Sequence, residues 1–419
     1  MKTYLIPILL GVNCLLAGSS YAQLVNNGDA ISLSSGSLLF VGDSVTNIQG
    51  YIENKGTIEV RGHFVNNDPN SLVFTKTSTG VVSLSGDDQE ISGSRISFPG
   101  LALSGTGVKI LKTDIDVDGV LSLGDKHLKA DIYTIHVTNP NPDALIRGET
   151  AGAVGTGFIS TEGKGALIRN TNIDKEYLFP LGSDRLNSAL VGVSTLYRPV
   201  TFKPENSLNS FSATLINSDP TADGFDKDKK RYDVKSVSDK YYYLLGKNDD
   251  ASKVDVTFYQ NSNIDNSNTQ LVTWNSYLQW EKAAPSSVTS SSAAGDDLNG
   301  GTLNTTIKFS SIQPLHNTPF TFSSEPGGVN PFTFFNAFSP DGDGRNDTWE
   351  INNIEIYPDN KLTIYNRWGD EVFSATGYTN AKAWDGGNLQ PGTYYYVLTT
   401  TIENQARTFK GFITMIKKN

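Results

Sequence analysis

The sequence predicts an all-β protein, and three observations carry that expectation. Only 19% of residues are charged, while 39 Gly, 18 Tyr and 20 Phe punctuate the chain. Beyond the N-terminus no window sustains the 3.6-residue apolar period of an amphipathic helix. Short alternating runs recur instead, each closed by Gly, Asn or Asp. In order, the expectation is an N-terminal β-solenoid-like or sandwich region, a middle antiparallel β-sandwich and a C-terminal immunoglobulin-like β-sandwich.

Residues 1–22 read as a cleaved signal peptide. Lys2 supplies a positive start, Tyr4 to Ala17 is mostly apolar, and Ser20-Tyr21-Ala22 is a small-x-small cleavage site. That apolar run, about 14 residues, is too short to span a bilayer as a helix. Cys14 is the chain's single cysteine and lies inside this segment, so the mature protein holds together without disulfides. No later segment is long and apolar enough to be a transmembrane helix. The formal net charge is −10. Such acidity argues against a nucleic-acid partner, whose phosphates require clustered cations.

From 23 to 172 the alternating runs repeat loosely. Thr57-Ile58-Glu59-Val60-Arg61 turns Ile and Val to one side and polar groups to the other; Gly80 to Gly86, Val108 to Leu111 and Val120 to Gly124 follow suit. Rungs of a β-solenoid fit this spacing, each coil stacking its apolar face on the next. The irregular period keeps a β-sandwich as the competing architecture. Between 173 and 323 the runs lengthen and become aromatic, as in Lys240 to Leu245, Val254 to Tyr259 and Leu271 to Trp274. An antiparallel sandwich is expected there, with a two-residue turn at Asn275-Ser276 joining Trp274 to the strand Tyr277 to Trp280. Residues 324–332, Glu325-Pro326-Gly327-Gly328 among them, form an interdomain linker with no apolar period.

The last segment, 333–419, is densest in motifs: Pro340-Asp341-Gly342-Asp343-Gly344-Arg345-Asn346-Asp347, Tyr365-Asn366-Arg367-Trp368-Gly369, Trp384-Asp385-Gly386 and Pro391-Gly392-Thr393-Tyr394. Asn366 and Gly369 suit a turn, with Trp368 capping the core and Arg367 stacked on an aromatic face; Trp384 is a core residue beside an Asp385-Gly386 turn. In combination and order these motifs resemble the gliding-motility-associated C-terminal domain family, the type B sorting signals of the type IX secretion system. The resemblance covers about a fifth of the chain and implies that the type IX machinery is a partner. Asp341, Asp343 and Asp347 are the metal candidates, since acids alternating with Gly aim hard oxygens at one Ca²⁺. Arg345 sits where an EF-type loop has a third acid, and Asn352 where it has its last; ordinary Asx turns satisfy the same spacing.

Two other constellations have a functional and a structural reading. Asp114-Ile115-Asp116-Val117-Asp118-Gly119 matches a calcium-loop expression, yet Ile115 and Val117 alternate with the acids as strand residues do. Trp274, Tyr277 and Trp280 could offer a sugar-stacking platform, or build a sandwich core. No nucleophile elbow, His-Glu-x-x-His, phosphate loop or dinucleotide fingerprint occurs, and His63, His127, His136 and His316 lie in no ligand spacing. The expectation is therefore a non-enzymatic structural or adhesin-like protein, secreted or held at the outer cell surface. Surface glycans or other cell-surface proteins are its expected partners. The alternatives are a glycan-binding module, or a polysaccharide-active β-solenoid enzyme using Asp114, Asp116 and Asp118.

Overall fold

The computed structural model describes residues 22–416 apart from 149–154, 173, 191, 206–208, 232, 248–252, 266–269, 284–285, 290–295, 298–300, 304, 313–316, 324–330 and 403–404. The expected signal peptide up to residue 21 and most of the expected linker lie outside the described residues, as does His316. The chain divides into two compact units. The first comprises Met1–Gly224, Asp239–Ser267 and Ala283–Thr321; the second comprises Phe225–Ser238, Asn268–Lys282 and Phe322–Asn419.

The first unit begins as a β-solenoid of about seven turns. Three parallel sheets wind around one core. One runs from Leu24–Leu33 through Val45–Asn54, Phe64–Asn66, Gln89–Gly93, Lys109–Leu111 and His127–Lys129 to Phe158–Ser160. A second stacks Leu38–Val41, Thr57–Val60, Val81–Leu84, Leu101–Leu103, Leu121–Ser122 and Leu145–Ile146. The third stacks Ile96–Phe98, Ile115–Val117, Thr134–Val137 and Ala166–Thr171. The register explains the loose period: Val45 pairs with Phe64, but Phe64 pairs with Ile91, because a loop at 67–80 is inserted between those coils. Alternate residues of most rungs point inward, and Ile58, Val60, Val82, Leu84, Leu101, Ile115 and Val117 are fully buried.

A polar ladder and close-packed glycine corners hold the coils in register. Asn26, Asn47 and Asn66 are buried one above another; Asn26 donates to Asn47 Oδ1 at 3.1 Å and Asn47 donates to Asn66 Oδ1 at 3.2 Å. This ladder satisfies amides that would otherwise be costly in an apolar core. The corners come close enough to require glycine. A Cβ on Gly86 would stand 1.8 Å from the Arg61 carbonyl oxygen of the preceding coil. At the exposed end, bulges in Leu24–Leu33 near Asn26 and Asn27 interrupt the edge that another strand could otherwise extend.

The third solenoid sheet continues without a break into antiparallel structure. Ala166–Thr171 pairs in parallel with Thr134–Val137 on one side and antiparallel with Asn209–Ile216 on the other, and Tyr242–Lys247 follows. A second antiparallel sheet, Tyr177–Phe179, Val200–Pro204, Val254–Gln260, Thr305–Ile312 and Ser286–Thr289, completes the expected middle sandwich. Phe179, Phe202, Phe211, Tyr243, Phe258 and Phe309 fill it with tilted and edge-on ring contacts.

In the second unit, the hairpin Gln270–Trp274 and Trp280–Lys282 corrects the expected turn. Trp274 lies directly opposite Trp280, so the turn spans Asn275 to Gln279 and Tyr277 sits at its tip. The Asn275 side-chain oxygen accepts from the Tyr277 and Gln279 amides and holds this wider turn closed. The C-terminal domain is built on a five-stranded sheet ordered Ala337–Phe338, Gln405–Met415, Gly392–Ile402, Lys361–Tyr365 and Glu371–Thr376. Its inner face buries Leu362, Ile364, Tyr394, Tyr396, Leu398 and Ile413 against Phe338, Trp349, Ile351, Tyr378 and Trp384.

Candidate functional site

The sorting-domain motifs resolve into three tight turns around that core. In the first, Asn366 Oδ1 accepts the Trp368 and Asp370 amides, both at 2.9 Å, and Gly369 adopts φ +89°, which favours glycine. Trp368 is 72% exposed, a correction to its expected role as a core cap. It sits at the middle of the five-residue turn Asn366 to Asp370, so its ring projects to solvent, with the Arg367 guanidinium 4.2 Å from the ring centroid. In the second, Trp384 is buried as expected, Asp385 Oδ1 accepts the Gly387 amide, and Gly386 has φ +76°. Tyr394, two residues beyond Gly392, is buried with its hydroxyl donating to the Gln390 carbonyl at 2.7 Å.

The third turn holds the metal candidates. Asp341, Asp343 and Asp347 each offer a carboxylate oxygen within 4.8 Å of the others. One Ca²⁺, which takes oxygens at roughly 2.3–2.6 Å, fits between ligands so spaced. The same carboxylates also serve the backbone. Asp347 accepts the Gly342 amide at 2.7 Å and the Gly344 amide at 2.8 Å, and Asp343 accepts the Arg345 amide at 2.9 Å.

On the solenoid, the acids Asp114, Asp116 and Asp118 lie on the outer face of one rung, and each is engaged by a neighbouring coil. Arg95 forms a two-pronged contact with Asp116, Nε to Oδ2 at 2.7 Å and one terminal nitrogen to Oδ1 at 2.5 Å. From the other side His136 Nδ1 stands 3.4 Å from Asp116, and its Nε2 meets Asn170 Oδ1 at 2.9 Å. Burial opposes ionisation of Asp116, but Arg95 and His136 together outweigh it and hold its carboxyl well below the usual carboxylate range. Asp118 accepts from the Ser97 and Thr138 hydroxyls, and Asp114 accepts the Thr134 amide. These are cross-coil struts, with partners drawn from coils on either side.

The aromatic platform does not assemble either. Trp280 is fully buried and meets Trp274 edge-on at 5.5 Å and 72°, with Nε1 donating to the Phe225 carbonyl; Tyr277 alone is exposed. A different surface site emerges at a solenoid corner. Phe40, Gly42, Asp43, Arg61, Gly62, Gly86, Asp87 and Asp88 line a groove of about 390 Å³. The Phe40 ring is exposed there, with the Arg61 guanidinium 5.9 Å from its centroid. Sequence reading missed it because its residues belong to three coils and meet only once the solenoid is wound.

The fold defines an all-β protein with an N-terminal solenoid and a C-terminal β-domain. A family model described as the CHU_C type IX secretion signal domain matches residues 332–415. That match confirms the resemblance, makes the type IX machinery a partner, and assigns the protein to the secreted or cell-surface class. No curated protein and no solved structure matches the chain. Among the described residues no helix is long and apolar enough to cross a membrane.

Proposed function

We propose that the protein is a structural, adhesin-like module displayed or released outside the cell, with 23–172 as a stiff solenoid stem, 173–323 as a sandwich and 333–419 as the export domain behind the 324–332 linker. Residues 1–22 deliver it to the periplasm and are removed. The observation that carries this reading is the C-terminal signal domain on a chain whose solenoid engages the rung acids Asp114, Asp116 and Asp118 in cross-coil struts. Those struts also weigh against the polysaccharide-active alternative, since Asp114, Asp116 and Asp118 serve neighbouring coils. Calcium held by Asp341, Asp343 and Asp347 belongs to the same proposal, as a staple of the export domain. The turns at Asn366, Arg367, Trp368 and Gly369, at Trp384, Asp385 and Gly386, and at Gly392 and Tyr394 shape the domain for recognition.

Deleting 333–419 and fractionating the native bacterium tests the export half. Accumulation of the truncated protein in the periplasm, with full-length protein at the surface or in the medium, is the expected result. The corner groove favours glycan binding as a second reading, because an exposed aromatic ring beside three carboxylates and an arginine is suited to a neutral sugar. A glycan array with the full chain and its Phe40→Ala variant tests it, and a wild-type protein that binds no glycan removes it.

A further inference from the structure

The outer face of the C-terminal sheet carries an aromatic row that the core does not use. Tyr365 lies opposite Tyr395, and Tyr395 opposite Phe412, across three adjacent strands. Each neighbours an inward-facing residue, so the row points away from the core: Ile364, Tyr396 and Ile413 are buried, whereas Tyr395 is 50% and Phe412 53% exposed. Elsewhere this face is mainly threonine, with Thr393, Thr399, Thr408 and Thr414 at outward positions and Thr363 buried among its neighbours on the same side. Lys361 and Lys410 are its charged residues on these three strands, and neither Asp nor Glu faces outward on them. Glu371 stands at one margin, opposite Tyr365 on the edge strand. In a chain of net charge −10, an aromatic face with two lysines and no acid on its three central strands, Glu371 being its one acid on the edge strand, is a departure from the whole.

We propose that this face, centred on Tyr365, Tyr395 and Phe412 with Lys361 and Lys410 on its rim, is the surface by which the domain docks on a protein subunit of the type IX machinery that presents an apolar centre and an acidic rim. The inference rests on the export reading of the domain and names its recognition surface. Large rigid aromatics at the centre of a flat patch supply most of the energy of a protein–protein contact, and flanking charges set its orientation and rate. The competing reading is that the row stabilises the sheet through cross-strand pairs.

The test uses the full chain in the native bacterium. Tyr395→Thr/Phe412→Thr removes the rings but keeps a strong strand former, matching the threonines already on the face. A second variant, Lys361→Glu/Lys410→Glu, reverses the rim, and a deletion of 332–415 runs in parallel. The expected result is export reduced roughly tenfold in the threonine variant and several-fold in the charge variant, with the purified proteins melting as the wild type does. If the deletion is retained while both variants are exported normally, the docking face is refuted and the export reading stands. If the deletion itself is exported, the export reading fails and the docking face falls with it. A wild-type protein that dimerises through the row, with a monomeric threonine variant exported normally, identifies the face as a self-association surface and overturns the proposal.

Discussion

Arg198 and Asp265 form an ion pair with no solvent exposure on either side chain, Nε standing 2.8 Å from Oδ2. Arg198 precedes the strand Val200–Pro204, and Asp265 ends the single helical turn Ser262–Asp265, so the pair ties two connections to one point in the sandwich. An Arg198 terminal nitrogen also donates to the Tyr197 carbonyl at 2.6 Å, and the Asn261 amide donates to Asp265 at 2.8 Å. Arg198→Met leaves a buried carboxylate without its cation, which costs about 3–5 kcal/mol near neutral pH. Burial holds the Asp265 carboxyl above its ordinary range, with Arg198 pulling the other way. For a carboxyl raised in the folded state, the native protein binds the extra proton, so stability falls as pH rises from the unfolded value toward the folded one. Losing Arg198 raises the folded value further and extends that window upward. The loss in Arg198→Met should therefore shrink by up to about 1.4 kcal/mol for each pH unit lowered within the window. Adding Asp265→Asn should recover most of the loss and flatten its pH dependence. Urea unfolding followed by far-UV circular dichroism measures these differences, and hydrogen exchange in Val200–Pro204 and Tyr242–Lys247 assigns them to the first unit. Circular dichroism is preferred to tryptophan emission because Trp274, Trp280, Trp349, Trp368 and Trp384 all lie in the second unit. A loss under about 1 kcal/mol, or one that does not shrink on acidification, refutes the reasoning.

Three further outcomes follow from the same geometry. Asn47→Ala should cost about 1–3 kcal/mol, because it strands the buried Asn26 side-chain amide and removes a donor from Asn66 Oδ1; unchanged hydrogen exchange in Val45–Asn54 would contradict this. The Asp116 hydrogen bond raises the His136 pKa against the effect of burial, so its contribution is full below about pH 6.5 and is lost as pH rises through the folded value. His136→Ala should then destabilise by up to about 1 kcal/mol at pH 6 and by less at pH 9, as compared by thermal melts. Millimolar calcium should raise the melting temperature of the second unit by several degrees, read by tryptophan emission, and Asp343→Asn should abolish the rise. An unchanged melting curve would reduce the Asp341, Asp343 and Asp347 cluster to a turn.

Legibility along the chain tracked how local each cause is. The C-terminal turns were readable because Asn366 and Asp385 bond to amides two residues on and Gly369 needs its left-handed backbone, all within one short segment. Alternation in Asp114 to Asp118 correctly placed the acids on an outward face, but Arg95 and His136, which neutralise Asp116, come from other coils. The hairpin's turn width is not legible locally, since both Asn275-Ser276 and the longer loop suit the residues and only the Trp274–Trp280 pairing chooses between them. Tyr394-Tyr395-Tyr396 reads as a strand either way; that its middle ring aligns with Tyr365 and Phe412 depends on two registers.

By itself the sequence determined an all-β chain with alternating rungs and a type IX signal domain at its C-terminal end, because side-chain alternation, turn chemistry and motif order are properties of neighbouring residues. Only the tertiary structure decided that the N-terminal rungs wind in parallel into a solenoid, that its third sheet runs on into the sandwich, and which aromatics face outward. A strand's inward face looks the same whichever partner it takes. Pairing Phe64 with Ile91 across a looped-out segment is a choice made by packing between distant residues, where coil stacking outweighs the modest added cost of closing a longer loop.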